Sequence, residues 1–124
     1  MAHCATLEVD RYVMHQRRLA AAKEQRRKEI SAAIRAHLPA VPDELVGLGA
    51  KRVIVFGSVA RGNAEEDSDL DLAVEGLPSA RYFEAMAKAY GAASRPVNLL
   101  RLEELGSTLR ERVAAEGEVI RDAG

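Results

Sequence analysis

The stretch from Arg52 to Val74 constrains this chain more than any other. Arg52-Val53-Ile54-Val55-Phe56 is β-branched and aromatic, continuously apolar after its first residue, and closed by Gly57, as a strand buried on both faces would be. After a polar connection, Asp69-Leu70-Asp71-Leu72-Ala73-Val74 alternates strictly over its first four residues, which is the period of a strand with unlike faces. That alternation sends Leu70 and Leu72 into a core and sets the carboxylates of Asp69 and Asp71 on the opposite side, a few ångströms apart. Asp is a poor strand residue, and conflicts between local propensity and fold tend to mark functional sites.

The rest of the chain arranges itself around these two strands. From about Asp10 to Leu38 the residues are good helix formers without Pro or Gly, so a long helix is expected, anchored at its C-terminal part by Ile30, Ile34 and Leu38. Pro39 and Pro42 end it, and Pro42-Asp43-Glu44 starts a short helix that stops at Gly47 or Gly49. Pro78-Ser79 opens a further helix with Tyr82, Phe83, Met86 and Tyr90 on one face, and Pro96 to Arg101 reads as a third strand. Leu102, Leu105, Leu109 and Val113 share a helical stripe that Gly106-Ser107 can divide, with Ser107 as a cap, and Glu118-Val119-Ile120 adds a terminal strand. The expectation is an α/β (α+β) layer domain over residues 42–124, preceded by a helical arm over residues 1–41.

Composition narrows the function classes. At 124 residues the chain has room for one compact domain, and 48% hydrophobic with 30% charged residues is that of an ordinary folded protein. Eighteen basic and 19 acidic residues give a net charge of -1, so no bulk field recruits nucleic acid. The basic cluster Arg17, Arg18, Lys23, Arg26, Arg27 and Lys28 is interrupted by Glu24 and Glu29 and lacks aromatics for base stacking, so it is read as a solvated helix face rather than a nucleic-acid site. A single cysteine, Cys4, excludes an internal disulfide and suits a reducing cytoplasm. No apolar run approaches the roughly 20 residues needed to cross a bilayer, and residues 1–10 lack the pattern of a secretion signal. His3, His15 and His37 have no ligand-like spacing and are read as surface residues.

Two segments carry chemistry. Two carboxylates as close as Asp69 and Asp71 repel unless a cation neutralises them, and clustered hard oxygens select Mg²⁺ or Mn²⁺. The plainer alternative is a pair of solvent-facing aspartates on an exposed sheet. Gly57-Ser58, directly after the first strand, offers close backbone approach and a hydroxyl to a phosphate, and Arg61 of Ala60-Arg61-Gly62 adds a charge-assisted contact. Here the plainer alternative is an ordinary turn followed by a surface arginine.

Gly57-Ser58-Val59-Ala60-Arg61-Gly62 followed by Asp67-Ser68-Asp69-Leu70-Asp71-Leu72 resembles the signature of the DNA polymerase beta-like nucleotidyltransferase superfamily, over roughly Leu45 to Ile120. The spelling is most similar to its minimal nucleotidyltransferases. The resemblance implies a mixed sheet flanked by helices, with Gly57, Ser58, Arg61 and Ser68 around a nucleotide triphosphate. It implies that Asp69 and Asp71 hold Mg²⁺, and that pyrophosphate is the leaving group. Such families take a third carboxylate from the next core strand, where this chain has Asn98, which has no charge and cannot act as a base. Glu103 or Glu104, just past that strand, stand as alternatives, as do a register shifted by a residue or two and an Asn98 that is merely a polar edge residue.

The resemblance further implies a transferase moving a nucleoside monophosphate, AMP from ATP, onto a HEPN-type toxin partner, where a tyrosine is the acceptor and this chain the antitoxin. A second reading is a catalytically weakened member of the fold that binds nucleotide and regulates its partner by contact. A third is self-association, as a homo-oligomer, through the sparsely apolar arm.

Overall fold

The computed structural model describes residues 2–123, with side chains from Glu8 onward, so the surface reading of His3 and the side chain of Cys4 lie outside what is described. Helix α1 (Ala2–His37) starts before the expected Asp10, since nothing between Ala2 and Asp10 interrupts a run of helix-compatible residues. Residues 8–26 are exposed throughout, and only the last turns are anchored, by Ile34 and Leu38 at 5% and 6% exposure with Ile30 packed beside them. Helix α2 (Ala40–Gly47) begins two residues earlier than Pro42 implied. Pro42 lies in its first turn, where a missing N–H costs nothing.

Four strands form one mixed sheet: β1 (Arg52–Phe56), β2 (Leu70–Glu75), β3 (Val97–Arg101) and β4 (Glu118–Asp122), in the order β3-β2-β1-β4. β1 runs antiparallel to both β2 and β4, while β2 and β3 are parallel, so the chain between them must cross back. Helix α4 (Tyr82–Ala93) makes that crossover. The five-residue helix α3 (Gly57–Arg61) follows β1 directly, and α5 (Ser107–Glu116) precedes β4.

β1 is buried on both faces, as its unbroken apolar run requires. Val53 and Val55 join Leu70, Leu72, Val74 and Leu99 in the main core, covered by the end of α1 and by α2 and α4. Ile54 and Phe56 face the other way and meet Ala73 and Val113 of α5 in a smaller cluster. A central strand between two helical layers must be apolar wherever it is covered, and this one is from Val53 to Phe56.

Three expectations need correction. The buried stripe of α4 is Ala85, Ala89 and Ala93, flanked by Tyr82 and Met86, whereas Phe83 and Tyr90 are 82% and 55% exposed. Small side chains let α4 sit close to α2 and the sheet, and a stripe of large residues would hold it off. The 102–113 stripe is divided into a one-turn 3-10 helix (Leu102–Glu104) and α5, and the capping position of α5 is Gly106, not Ser107. β4 continues two residues beyond Ile120, to Asp122. Among the described residues no helix is long and apolar enough to cross a membrane.

Candidate functional site

The register of the sheet assembles the site. Asp71 of β2 stands opposite Phe56 of β1 on one side and Asn98 of β3 on the other, so the last residue of β1 delivers the chain into Gly57 and Ser58 beside the Asp71 carboxylate. Gly57 has φ +72 and packs so tightly against Asp71 that a Cβ there would collide with Oδ2 and lie 3.0 Å from Cγ. Only glycine combines that backbone conformation with that contact. Ser58 follows in the first turn of α3, half-buried, with its carbonyl accepting from Asn63 N at 2.9 Å.

Leu70 and Leu72 are fully buried, as the alternation requires, and leave Asp71 on the opposite face of β2, half-buried, with Asp69 exposed one residue before the strand. Burial pushes the Asp71 carboxyl above the ordinary carboxylate range. A hydrogen bond from Asn98 pulls it back, the neighbouring Asp69 charge pushes it up, and Arg112 and Arg61 pull it down. Asn98 Nδ2 donates to Asp71 Oδ1 at 3.2 Å, so Asn98 stands where a third carboxylate was sought, in the unshifted register.

The alternatives Glu103 and Glu104 are overturned by the parallel pairing of β2 and β3. They lie in the 3-10 turn beyond the C-terminal end of β3, which itself runs ~10 Å past Asn98 and away from the Asp71 end of β2. Glu103 accepts from Gly76 N at 2.6 Å, at the far end of β2, and Glu104 pairs with Arg101. Burial acts to raise the Glu103 carboxyl, but the Gly76 amide and nearby arginines hold it below its ordinary value.

Contacts that the sequence did not signal hold the loop leading to Asp69. Ser31, 2% exposed on α1, accepts from Ala64 N at 2.9 Å through Oγ. Arg27 binds Glu65 at 2.8 Å and Arg26 pairs with Glu66, so two members of the basic cluster are ion-paired within the chain. Lys28 lies 3.9 Å from Glu24. The Ser68 hydroxyl accepts from Glu65 N at 2.8 Å and its carbonyl from Arg95 Nη1 at 2.9 Å, so it closes the loop. Arg61 does not stand free either: Nη1 binds Glu116 Oε2 of α5 at 2.9 Å, and Arg112 Nε lies 3.5 Å from the same oxygen. The contacts of Arg26, Arg27, Ser31, Arg61 and Arg95 join residues 27 to 55 positions apart in sequence and leave no local pattern.

The polymerase beta nucleotidyltransferase family model matches residues 49–123. The chain belongs to that family. A protein assigned as a minimal nucleotidyltransferase has a similar structure, with 36% identity and a TM-score of 0.63 over 71% of this chain and 93% of the other. A toxin-antitoxin structure with AMP-PNP gives a TM-score of 0.60 at 23% identity over 65% of this chain and 69% of that one, and the MntA-HepT pair gives 0.54 at 20% over 68% and 69%. These last two share the fold. No curated protein matches the sequence.

The donor set of this nucleotidyltransferase-fold site suits a hard divalent cation. Asp69 and Asp71 offer two carboxylates, the charge of Asp69 acting on Asp71, and Mg²⁺ is commonly held by one or two carboxylates together with substrate phosphates. Among the described residues no group of three or more His, Cys, Asp or Glu converges, so the acidic set is this pair. Away from the site, one groove lies between α1 and the 65–67 turn, and another between the start of α2 and β4.

Proposed function

We propose that this chain is a nucleotidyltransferase that moves AMP from ATP onto a hydroxyl of a HEPN-type protein partner, as the antitoxin of a toxin-antitoxin pair. The observation that carries the reading is the contact of Gly57 with Asp71, which sets the Gly57-Ser58 turn directly beside a carboxylate. The fold shared with toxin-antitoxin structures, one of them with AMP-PNP, supports the choice of nucleotide and partner. ATP and a single cysteine suit the cytoplasm.

Asp69 and Asp71 would hold Mg²⁺ or Mn²⁺, which supplies screening of the phosphates and of the charge that develops on transfer. Gly57 lets the triphosphate approach the backbone and Ser58 offers it a hydroxyl and an amide. The acceptor oxygen, a tyrosine hydroxyl of the partner, forms a bond to the α-phosphorus as the bond to the β-phosphate oxygen breaks, and pyrophosphate leaves. The hydroxyl proton passes to water, since Asn98 cannot accept it.

Labelled ATP with Mn²⁺ and the co-expressed partner tests the reading. Label is expected on the partner, lowered by about a hundredfold or more in Asp69→Asn and Asp71→Asn. Absence of transfer from both the wild type and Asn98→Asp would sink it.

A second reading rests on the hydrogen bond from Asn98 to Asp71. An amide in that place favours a member that binds nucleotide and regulates its partner by contact. Nucleotide binding without transfer, with transfer gained in Asn98→Asp, is its expected signature.

A further inference from the structure

Glu116 of α5 binds two guanidiniums through one oxygen: Arg61 Nη1 at 2.9 Å and Arg112 Nε at 3.5 Å. The two arginines come from different elements. Arg61 is one turn after Ser58 on α3, and Arg112 is one turn before Glu116 on α5. Val113, next to Arg112, packs on Ile54, Phe56 and Ala73, so α5 lies over the sheet face that carries Asp71. Both arginines also act on the Asp71 carboxyl, which places their charges within reach of the acidic pair.

One carboxylate shared by two guanidiniums leaves a net positive charge, and both side chains stay accessible, Arg61 at 39% and Arg112 at 54% exposure. A solvated ion pair of this kind is weak, so a more highly charged anion exchanges with it readily. A triphosphate bound at Gly57 and Ser58 is such an anion, and a guanidinium fork matches its oxygens.

We propose that Arg112 is a second phosphate-binding residue, which together with Arg61 takes the two phosphates that leave as pyrophosphate, and that Glu116 is the resident counter-ion displaced when they bind. The assignment rests on the nucleotide-binding reading above. It adds two residues of α5 to the site, and it makes affinity for the polyphosphate part of the nucleotide depend on a helix far from the signature motif in sequence.

The test is calorimetric titration of the full chain with MgATP, with inorganic pyrophosphate plus Mg²⁺, and with Mn²⁺ alone. Arg112→Gln is expected to weaken MgATP and pyrophosphate by about tenfold each and not to weaken Mn²⁺ binding, since the charge removed repels the cation. Glu116→Gln, which removes the competing charge, is expected to tighten both by about threefold. Lys88→Gln, an exposed cation on α4, serves as the control and binds as wild type does. Arg112 is exposed, so its variant folds, which equal unfolding midpoints verify. Wild-type affinity for MgATP and pyrophosphate in Arg112→Gln would overturn the assignment of Arg112, and unchanged or weaker binding in Glu116→Gln would overturn counter-ion exchange. If the wild type binds neither MgATP nor Mn²⁺, the underlying functional reading fails instead.

Discussion

Replacing Gly57 with alanine separates two costs that the structure joins at one residue. The first is conformational: φ is +72, where an L-residue costs about 1–2 kcal/mol more than glycine. The second is contact, because the new Cβ collides with Asp71 Oδ2 and lies 3.2 Å from its Cβ, so the carboxylate must turn away and lose the 3.2 Å hydrogen bond from Asn98. Losing that bond costs about 1–2 kcal/mol, which brings the whole to ~2–4 kcal/mol. Gly62 is the natural control, with φ +77 and nothing within 4 Å of a Cβ, so Gly62→Ala carries the first cost alone. Urea unfolding of Gly57→Ala, Gly62→Ala, Asp71→Ala and the Gly57→Ala, Asp71→Ala double variant gives the comparison. The double variant is expected to show a coupling of about 1–2 kcal/mol, since without the carboxylate the alanine has nothing to strike. Equal losses for the two single variants, with no coupling to Asp71, would refute the contact that anchors the whole site.

Asp71→Asn is expected to abolish Mn²⁺ binding and yet raise the unfolding midpoint of the metal-free protein at pH 7. Its folded carboxyl lies above 3.8, chiefly through burial, so native stability falls as pH rises from the unfolded value through the folded one, and the gain from the variant shrinks as pH is lowered toward the ordinary carboxylate range. Ser31→Ala leaves the buried Ala64 amide without its partner and should cost about 1–3 kcal/mol with several-fold weaker Mn²⁺ binding, whereas Arg27→Gln, which breaks a half-exposed pair, should cost under ~1 kcal/mol. Asn98→Asp is expected to tighten Mn²⁺ by roughly tenfold and to lower metal-free stability at neutral pH, as three carboxylates then meet. Removing residues 1–22, whose described side chains are all exposed, should change stability by less than ~0.5 kcal/mol.

The two central strands were readable because burial leaves period and residue type no freedom: β1 must be apolar on both faces, and β2 must alternate beside a polar face. Asp71 followed from the alternation of β2, Gly57 from the close of β1, and Asn98 from the resemblance, which implies a third carboxylate on the next strand; the three meet in space. Helix α4 was misread because two stripes of the same period compete on it, and residue size suggested the stripe of Phe83 and Tyr90. Close approach to α2 selects the alanines at 85, 89 and 93 instead. Ser31, Arg112 and Glu116 left no local signal, since a serine or a charged residue in a helix is ordinary until the fold brings a distant partner to it. The same holds for Arg61, whose position in the motif was legible but whose ion pair with α5 was not.

The exposed reach of α1 has a hydrodynamic consequence. A helix of 36 residues is about 54 Å long, while a compact chain of this size has a radius of gyration of only ~14 Å. With residues 8–25 exposed, a single copy tumbles more slowly and elutes earlier from a sizing column than a sphere of 13.5 kDa. Stoichiometry is therefore better taken from light scattering or sedimentation equilibrium, which weigh the particle without reference to its outline.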